Sequence, residues 1–368
     1  MSKTAKWILA IIVIVLVVLG VWYYGSKPTT SVETGPIKVG FISSLSGEAG
    51  VWGQNLKAGF DFALKEINDN GGVNGRKIEV YYDDDKCDAT TGVTAFNKAI
   101  DVDQVKIITG TVCSSVAMSV AKKTQENGVL YIASGATNPD VPKQGDLIFR
   151  LWVSDAYEAK AIAEYATGVL KLKTFGIAHV NDNPAGISLR DEFKSVAESK
   201  GGKILGIESF SSKERDYKTY ITKLIANKPE ALYVVVLPES MPIVINQIRT
   251  MGYKGTLLAY SPAMVAEGIL DKIKVKDNLY YSTPVDKKET NFWENYRLSA
   301  GKDADMLTAL GYDSMKVIEA GLSKCGEDNQ CIKNYLLSLK DYQSARGKLN
   351  FDNYGDLTGV EFQTIRVK

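Results

Sequence analysis

Short runs of apolar, β-branched residues alternate with longer stretches of helical period over most of this chain. The runs fall at 37–43, 77–82, 105–109, 129–133, 175–180, 203–207, 231–237 and 256–259. Between them, Leu56, Phe60, Ala63 and Ile67 recur at steps of 4, 3 and 4. Tyr217, Tyr220, Ile221, Leu224 and Ile225 likewise follow i, i+3, i+4, i+7 and i+8 of one helix face. A strand with no polar alternate side is buried on both faces, the condition of a parallel sheet covered by helices. The alternation therefore predicts an α/β fold. It pauses near residues 150–156 and starts again, which predicts two doubly wound lobes side by side. A ligand cleft is expected between them, at the carboxyl ends of the strands.

Residues 7–24, WILAIIVIVLVVLGVWYY, carry neither charge nor proline. As a helix this run would span about 27 Å, close to the ~30 Å hydrocarbon core of a bilayer. Lys3 and Lys6 precede it, which holds the N-terminus in the cytoplasm and sends the following chain outward. The run ends in Val21, Trp22, Tyr23 and Tyr24 rather than in the small residues of a cleavage site. No cysteine precedes Cys87, so no lipidated cysteine replaces the helix as an anchor. The reading is a transmembrane signal-anchor inside a 1–36 segment, closed by the linker GSKPTTSVETGP. A cleaved signal peptide is the alternative. The expected location is the extracytoplasmic face of the cell membrane, with the lipid bilayer as one partner.

The 44 basic and 43 acidic side chains nearly cancel, which leaves nucleic acid without an electrostatic footprint. Four cysteines in an exported chain suggest two disulfides. Cys325 and Cys331 enclose five residues and pair most easily with each other. That leaves Cys87 with Cys113, each just after a predicted strand. Zinc is the competing use, but no C-x-x-C spacing occurs and His179 is the sole histidine. His179 ends the apolar run FGIAHV and reads as structural. The glycines of GGVNGRK lack the Ser or Thr that a phosphate loop needs, since Ile78 follows Lys77. Asp83, Asp84 and Asp85 do not have calcium-loop spacing. No enzyme, cofactor or metal is expected. An extracellular hydrolase would need a nucleophile–base pair that one histidine does not supply.

The strongest binding constellation is GTVCSS at 110–115 with SGATNP at 134–139. Each follows a predicted strand and precedes a helix start. Free backbone N–H groups and the hydroxyls of Ser114 or Ser115 and Thr137 suit a carboxylate there. Ordinary helix capping explains the same residues, and the residues alone do not choose between the two.

The segment KVGFISSLSGEAGVWGQNLKAGFDFALKEINDNGGVNGRKIEVYYDDDKCD resembles the N-terminal signature of type I periplasmic solute-binding proteins, the branched-chain amino acid (Leu/Ile/Val) receptor group of ABC importers. The likeness continues through GTVCSS, YIASGATNPDV, IFRLWVSD, ALGYD and FDNYGDLTG and covers residues 37–368. The resemblance implies a clamshell whose chain crosses the hinge three times, with lobe 1 at 37–155 plus 285–346 and lobe 2 at 156–284 plus 347–368. It implies a non-enzymatic protein that delivers a small carboxylate-bearing ligand, an amino acid or an apolar or aromatic acid, to a membrane permease. A ligand-sensing ectodomain partnering a separate signalling protein is the alternative.

By the same resemblance, Ser114 and Thr137 hold the ligand carboxylate and Gly135 contacts the ligand through its main chain; Ser115 and Ala136, in the same two turns, are further candidate ligand-binding residues. Trp52 takes a first-lobe aromatic position. Cys87 and Cys113 match the family's first-lobe disulfide. The second lobe departs from the pattern: Ser261 stands near the acid that usually grips an amino group, Ala185 where an aromatic is common, and Val236 or Leu237 where another is expected. Trp52, Trp152, Tyr157, Leu307 and Tyr260 would then bound an apolar, aromatic pocket. Asp155 is the candidate acid at the crossover, or a plain N-cap.

Overall fold

The computed structural model describes residues 7, 13–19 and 35–368. The expected anchor over 7–24 and the linker after it fall largely outside the described residues. Of the anchor, residues 7 and 13–19 are helical with exposed side chains. Among the described residues no helix is long and apolar enough to cross a membrane. Pro36–Lys368 forms one compact unit.

That unit contains two parallel sheets. The first is built from β1 (Ile37–Ser43), β2 (Ile78–Asp84), β3 (Ile107–Thr109), β4 (Leu130–Ala133) and β5 (Ile148–Arg150) in the order β2-β1-β3-β4-β5. Helices α1 (Gly50–Asp69), α2 (Ala89–Asn97) and α3 (Ser114–Glu126) connect its strands. Every residue of β3 and β4 is buried, as two-sided helix cover requires. Leu56, Phe60, Ala63 and Ile67 of α1 all face inward, which is the stripe that the 4, 3, 4 spacing predicts.

Helix α4 (Asp155–Gly168) carries the chain to the second sheet. There β6 (Thr174–Val180), α5 (Pro184–Ser199), β7 (Lys203–Phe210), α6 (Lys218–Ala226), β8 (Ala231–Val235), α7 (Met241–Thr250), β9 (Thr256–Ala259), α8 (Ser261–Met264) and β10 (Leu279–Pro284) follow. The chain then returns through α9 (Phe292–Ala300), α10 (Met306–Cys325) and α11 (Asn329–Ser338) to a hairpin, β11 (Tyr342–Ser344) with β12 (Gly347–Leu349). Strand β13 (Phe362–Arg366) closes the second sheet antiparallel to β10, in the order β13-β10-β9-β8-β6-β7.

Helix α10 lies against α1 because glycine faces backbone on both sides. A Cβ on Gly59 would collide with the Thr308 carbonyl, and one on Gly311 with the Leu56 carbonyl. The structure joins Cys87 to Cys113 across the ends of β2 and β3, and Cys325 to Cys331 at the end of α10.

Several elements escape the periodicity argument. Strand β5 has only three residues, and β10 reads LYYSTP, with polar side chains in a fully buried strand. The polarity is satisfied across the sheet, where Ser282 Oγ lies 2.7 Å from Thr364 Oγ1 of β13. The expected strand 231–237 stops at Val235, and Val236 and Leu237 turn into the cleft. The expected lobe boundary at 346/347 runs through the β11–β12 hairpin. Beyond it, Phe351 packs edge-on to Phe149 at 5.3 Å and the Arg150 N–H donates to the Gly355 carbonyl. Strand β13, from Phe362, belongs to the second sheet.

Candidate functional site

The turns after β3 and β4 end at the carboxyl edge of the first sheet and face the second. A small cavity lies between the two faces. It offers about 10 Å³ to the centre of a water-sized sphere, room for about one water molecule.

On the first face, Ser114 opens α3 and its Oγ accepts the N–H groups of both Thr137 and Asn138 at 3.1 Å. The Thr137 and Asn138 backbone donors are therefore occupied, and the Ser114 hydroxyl hydrogen is left to donate. Thr137 Oγ1 lies 3.5 Å from the Tyr260 hydroxyl of the opposite lobe. The turn is braced from behind by Arg150, which is fully buried. Its guanidinium donates to the Thr137 and Asn138 carbonyls, each at 2.7 Å, and pairs with the Asp356 carboxylate. A buried arginine needs this many acceptors to offset its lost hydration. It also places positive charge behind the hydroxyls.

The opposite face is apolar. Val180, Ala185, Val236 and Leu237 line it, and Asn183 caps α5 by accepting the Ala185 N–H at 3.1 Å. Trp52 reaches across from the first lobe: its indole N–H donates to the Pro262 carbonyl at 2.8 Å, and its ring meets Tyr260 edge-on at 6.2 Å.

Of the residues expected at the site, Trp52, Ser114, Thr137, Ala185, Val236 and Tyr260 line this cavity. Others do not. The Ser115 hydroxyl turns to the Cys87 carbonyl at 3.3 Å. Gly135 sits tight against Val112, and Ala136 is buried in the core. Tyr157 is 48% exposed, because it follows Asp155 by two positions and so points about 200° around the helix. Trp152 and Leu307 are core residues, with the Arg346 guanidinium stacked 4.7 Å from the Trp152 ring. His179 is buried, with Nδ1 2.8 Å from the Val180 carbonyl, and burial pushes its pKa down.

Asp155 is the first residue of α4 and not its cap; Ser154 caps the helix. The Asp155 backbone N–H donates to the Thr137 carbonyl at 2.9 Å. Its side chain is fully buried, and that burial pushes the carboxyl up to about 7. The Thr137 and Ser188 hydroxyls and the Arg150 charge oppose the shift, yet neither carboxyl oxygen completes a hydrogen bond. Glu158, which the sequence did not single out, lies one turn on. Its Oε1 accepts the Ser261 N–H at 2.8 Å. Burial raises its pKa well above the ordinary range, the Ser261 N–H opposes that, and nearby Asp155 adds to it. In the sequence, an acid in a first turn passes for an ordinary complement to the helix dipole.

The sequence profile of a family described as periplasmic binding protein matches residues 36–359. The chain belongs to the periplasmic binding protein family. Among curated relatives of this periplasmic binding protein is the Leu/Ile/Val-binding protein homolog 3 of Brucella melitensis biotype 1. The two are 25% identical over 336 residues, covering 90% of this chain and 91% of the relative. The solved leucine-binding protein LivK of Thermotoga maritima superposes with a TM-score of 0.82 at 24% identity, covering 90% of this chain and 99% of that one. A solute-binding protein of an ABC transporter from R. palustris, solved in complex with benzoate, gives 0.82 at 18% identity, covering 91% and 94%. At such identities the two structures speak for the fold.

Proposed function

We propose that this periplasmic binding protein is the extracytoplasmic solute-binding component of an ABC importer, taking a small carboxylate-bearing ligand into the cleft between its lobes. The observation that carries this reading is the asymmetry of the cavity. Hydroxyl donors from Ser114, Thr137 and Tyr260 stand at one end, backed by the Arg150 guanidinium, and Val180, Val236 and Leu237 form the opposite wall. Such an arrangement holds an anionic head by neutral donors and an apolar body by burial. A relative named for leucine, isoleucine and valine fits the same chemistry.

The space between the lobes admits little more than a water molecule, so ligand entry requires the lobes to part. Ligand then favours the closed arrangement by its differential affinity for it, and the closed form is the one offered to a membrane permease. The uncharged run 7–24 supports a tether that holds the protein at the outer face of the membrane.

Mass spectrometry of small molecules released on denaturation is the direct test, followed by calorimetry with whatever acid is recovered. Thr137→Val keeps the side-chain volume and removes the hydroxyl. A hydrogen bond to a charged group contributes about 1.5–3 kcal/mol, so the released ligand should bind about tenfold to a hundredfold more weakly. Parent-like affinity in that variant would make Thr137 a structural turn residue and remove the carboxylate end of the site.

A further inference from the structure

The parallel strands of the second sheet, β10, β9, β8, β6 and β7 in spatial order, all begin at the edge opposite the cleft. Each is entered through a lysine. Lys276 stands three residues before β10, Lys254 two before β9, Lys228 three before β8 and Lys173 directly before β6, and Lys203 is the first residue of β7. Neighbouring strands lie about 4.8 Å apart, so the row extends about 19 Å. Among the described residues none of these ammonium groups has an ion-pair partner, and all but Lys276 belong to exposed residues. Of the acids on this edge, Glu230 is taken up by the N–H groups of Lys173 and Thr174. The first sheet has no such row: no lysine stands within three residues before β4 or β5, and Asp146 precedes β5.

The helices of this lobe end at the same edge, and lysine beside a helix carbonyl end is an ordinary complement to its dipole. Two further features go beyond that. Val169 and Val275 stand here with 62% and 42% exposure, close in the chain to Lys171 and to Lys274 and Lys276. Between the entries of β9 and β10 lies a hollow of about 360 Å³, lined by Arg249, Lys254 and Val275, with Asp277 as the one acid on its wall. The Arg249 guanidinium donates to the Tyr253 and Gly255 carbonyls, each at 2.9 Å, and to the Asp277 carbonyl. Its buried Nε has no partner, and among the described residues no carboxylate pairs with it.

We propose that this edge of the second lobe is a docking surface for an anionic phospholipid bilayer. The lysine row lies over the headgroups, the two valines enter the interface, and the Arg249 hollow holds a lipid phosphate. A cationic face with a few exposed apolar side chains binds a bilayer by charge and shallow burial together. The proposed tether keeps a bilayer at hand, since the linker 25–36 extends about 40 Å at most. Docked in this way, the lobe turns its cleft edge away from the membrane, a resting pose distinct from the one offered to a permease.

This inference draws on the tether and not on the cleft ligand, and the test separates them. The full chain is placed in nanodiscs of phosphatidylcholine alone and of phosphatidylcholine with about 30% phosphatidylglycerol. Backbone hydrogen exchange is then followed by mass spectrometry. At about 0.05 M salt, residues 252–257 and 273–279 should exchange about fivefold more slowly in the anionic discs. The difference should vanish near about 0.5 M salt, where screening is strong. A combined Lys254→Glu, Lys274→Glu and Lys276→Glu variant should lose the protection, and Lys254→Arg, Lys274→Arg and Lys276→Arg together should keep it. Equal exchange in the two disc types overturns the docking surface and leaves the tether standing, and so does protection that survives charge reversal. Protection of 134–139 at the cleft edge in place of these stretches overturns it by assigning the contact to the other face. Soluble glycerol phosphate that protects the hollow equally in neutral discs marks a small-anion site and also overturns it. Should the reversed variant not fold, the parent comparison decides alone. A chain that stays with neither disc sinks the tether, and this proposal with it.

Discussion

Asp155 occupies a position where folding and proton binding are coupled. Burial lifts its carboxyl from the ordinary 3.8 to about 7, so the folded chain keeps a proton that the unfolded chain releases above about pH 4. The neutral form is the one that burial favours. Its contribution is therefore complete below about pH 4, declines as pH rises toward 7, and stays lost above that. Asp155→Asn holds the group neutral at every pH. Without added ligand, scanning calorimetry should find the variant more stable than the parent at pH 8 and nearly equal to it at pH 4. Each kcal/mol corresponds to about 2–4 °C in a domain of ordinary size. A variant less stable at pH 8 would mean that the fold needs the ionised carboxylate. The charged and polar groups around Asp155 are Glu158 on its own helix, Arg150 from β5, Thr137 from the first-lobe turn, Ser188 of α5, Tyr233 of β8 and Tyr260 after β9.

At the level of elements, the first-lobe turn depends on a segment more than two hundred residues away. The guanidinium of Arg150 spans from the Thr137 and Asn138 carbonyls to Asp356, which lies in the FDNYGDLTG stretch. The same stretch accepts the Arg150 backbone N–H through Gly355. A guanidinium this buried loses most when its counter-charge goes. Asp356→Ala should cost about 3–5 kcal/mol in urea unfolding, as expected for breaking a buried pair from one side. A loss under about 1 kcal/mol would show that this stretch does not brace the turn. The aspartate is partly exposed, with 17% of its side chain open, so the lower end of that range is the sharper expectation.

At the scale of the whole molecule, two ion pairs join the rims of the lobes. Glu48 of the first lobe pairs with Arg215 of the second, and Lys302 with Glu267 at 2.8 Å. Arg215, Lys302 and Glu267 are about half exposed and Glu48 is partly buried, so each pair is worth about 0–1 kcal/mol and is weakened by salt. Trp52 adds one buried hydrogen bond to the Pro262 carbonyl. On the proposed function, contacts this modest leave the balance between open and closed arrangements to the ligand. Glu48→Gln should weaken ligand binding by less than about fivefold at low salt, and parent and variant should converge near 1 M salt. A hundredfold loss that survives high salt would make Glu48 part of the site and not of its rim.

The linear chain by itself determined the α/β class, the division into two sheets and the positions of strands β1–β4 and β6–β9 along the chain. Strands buried on both faces must be apolar throughout, and that signature survives in any stretch of sequence. It also marked Trp52, Ser114, Thr137, Ala185, Val236 and Tyr260, the candidate residues that line the cavity, though the resemblance carried most of these. Tertiary structure alone decided the rest. Strand β10 is hidden in sequence by polar residues whose partners lie on β13, 82 positions later. Arg150 meets Asp356 across 206 positions, and Glu158 meets Ser261 across 103. A charge in a sequence reads as solvated until its partner, or the lack of one, is known. Only folding reveals whether burial has removed the water that would otherwise satisfy it.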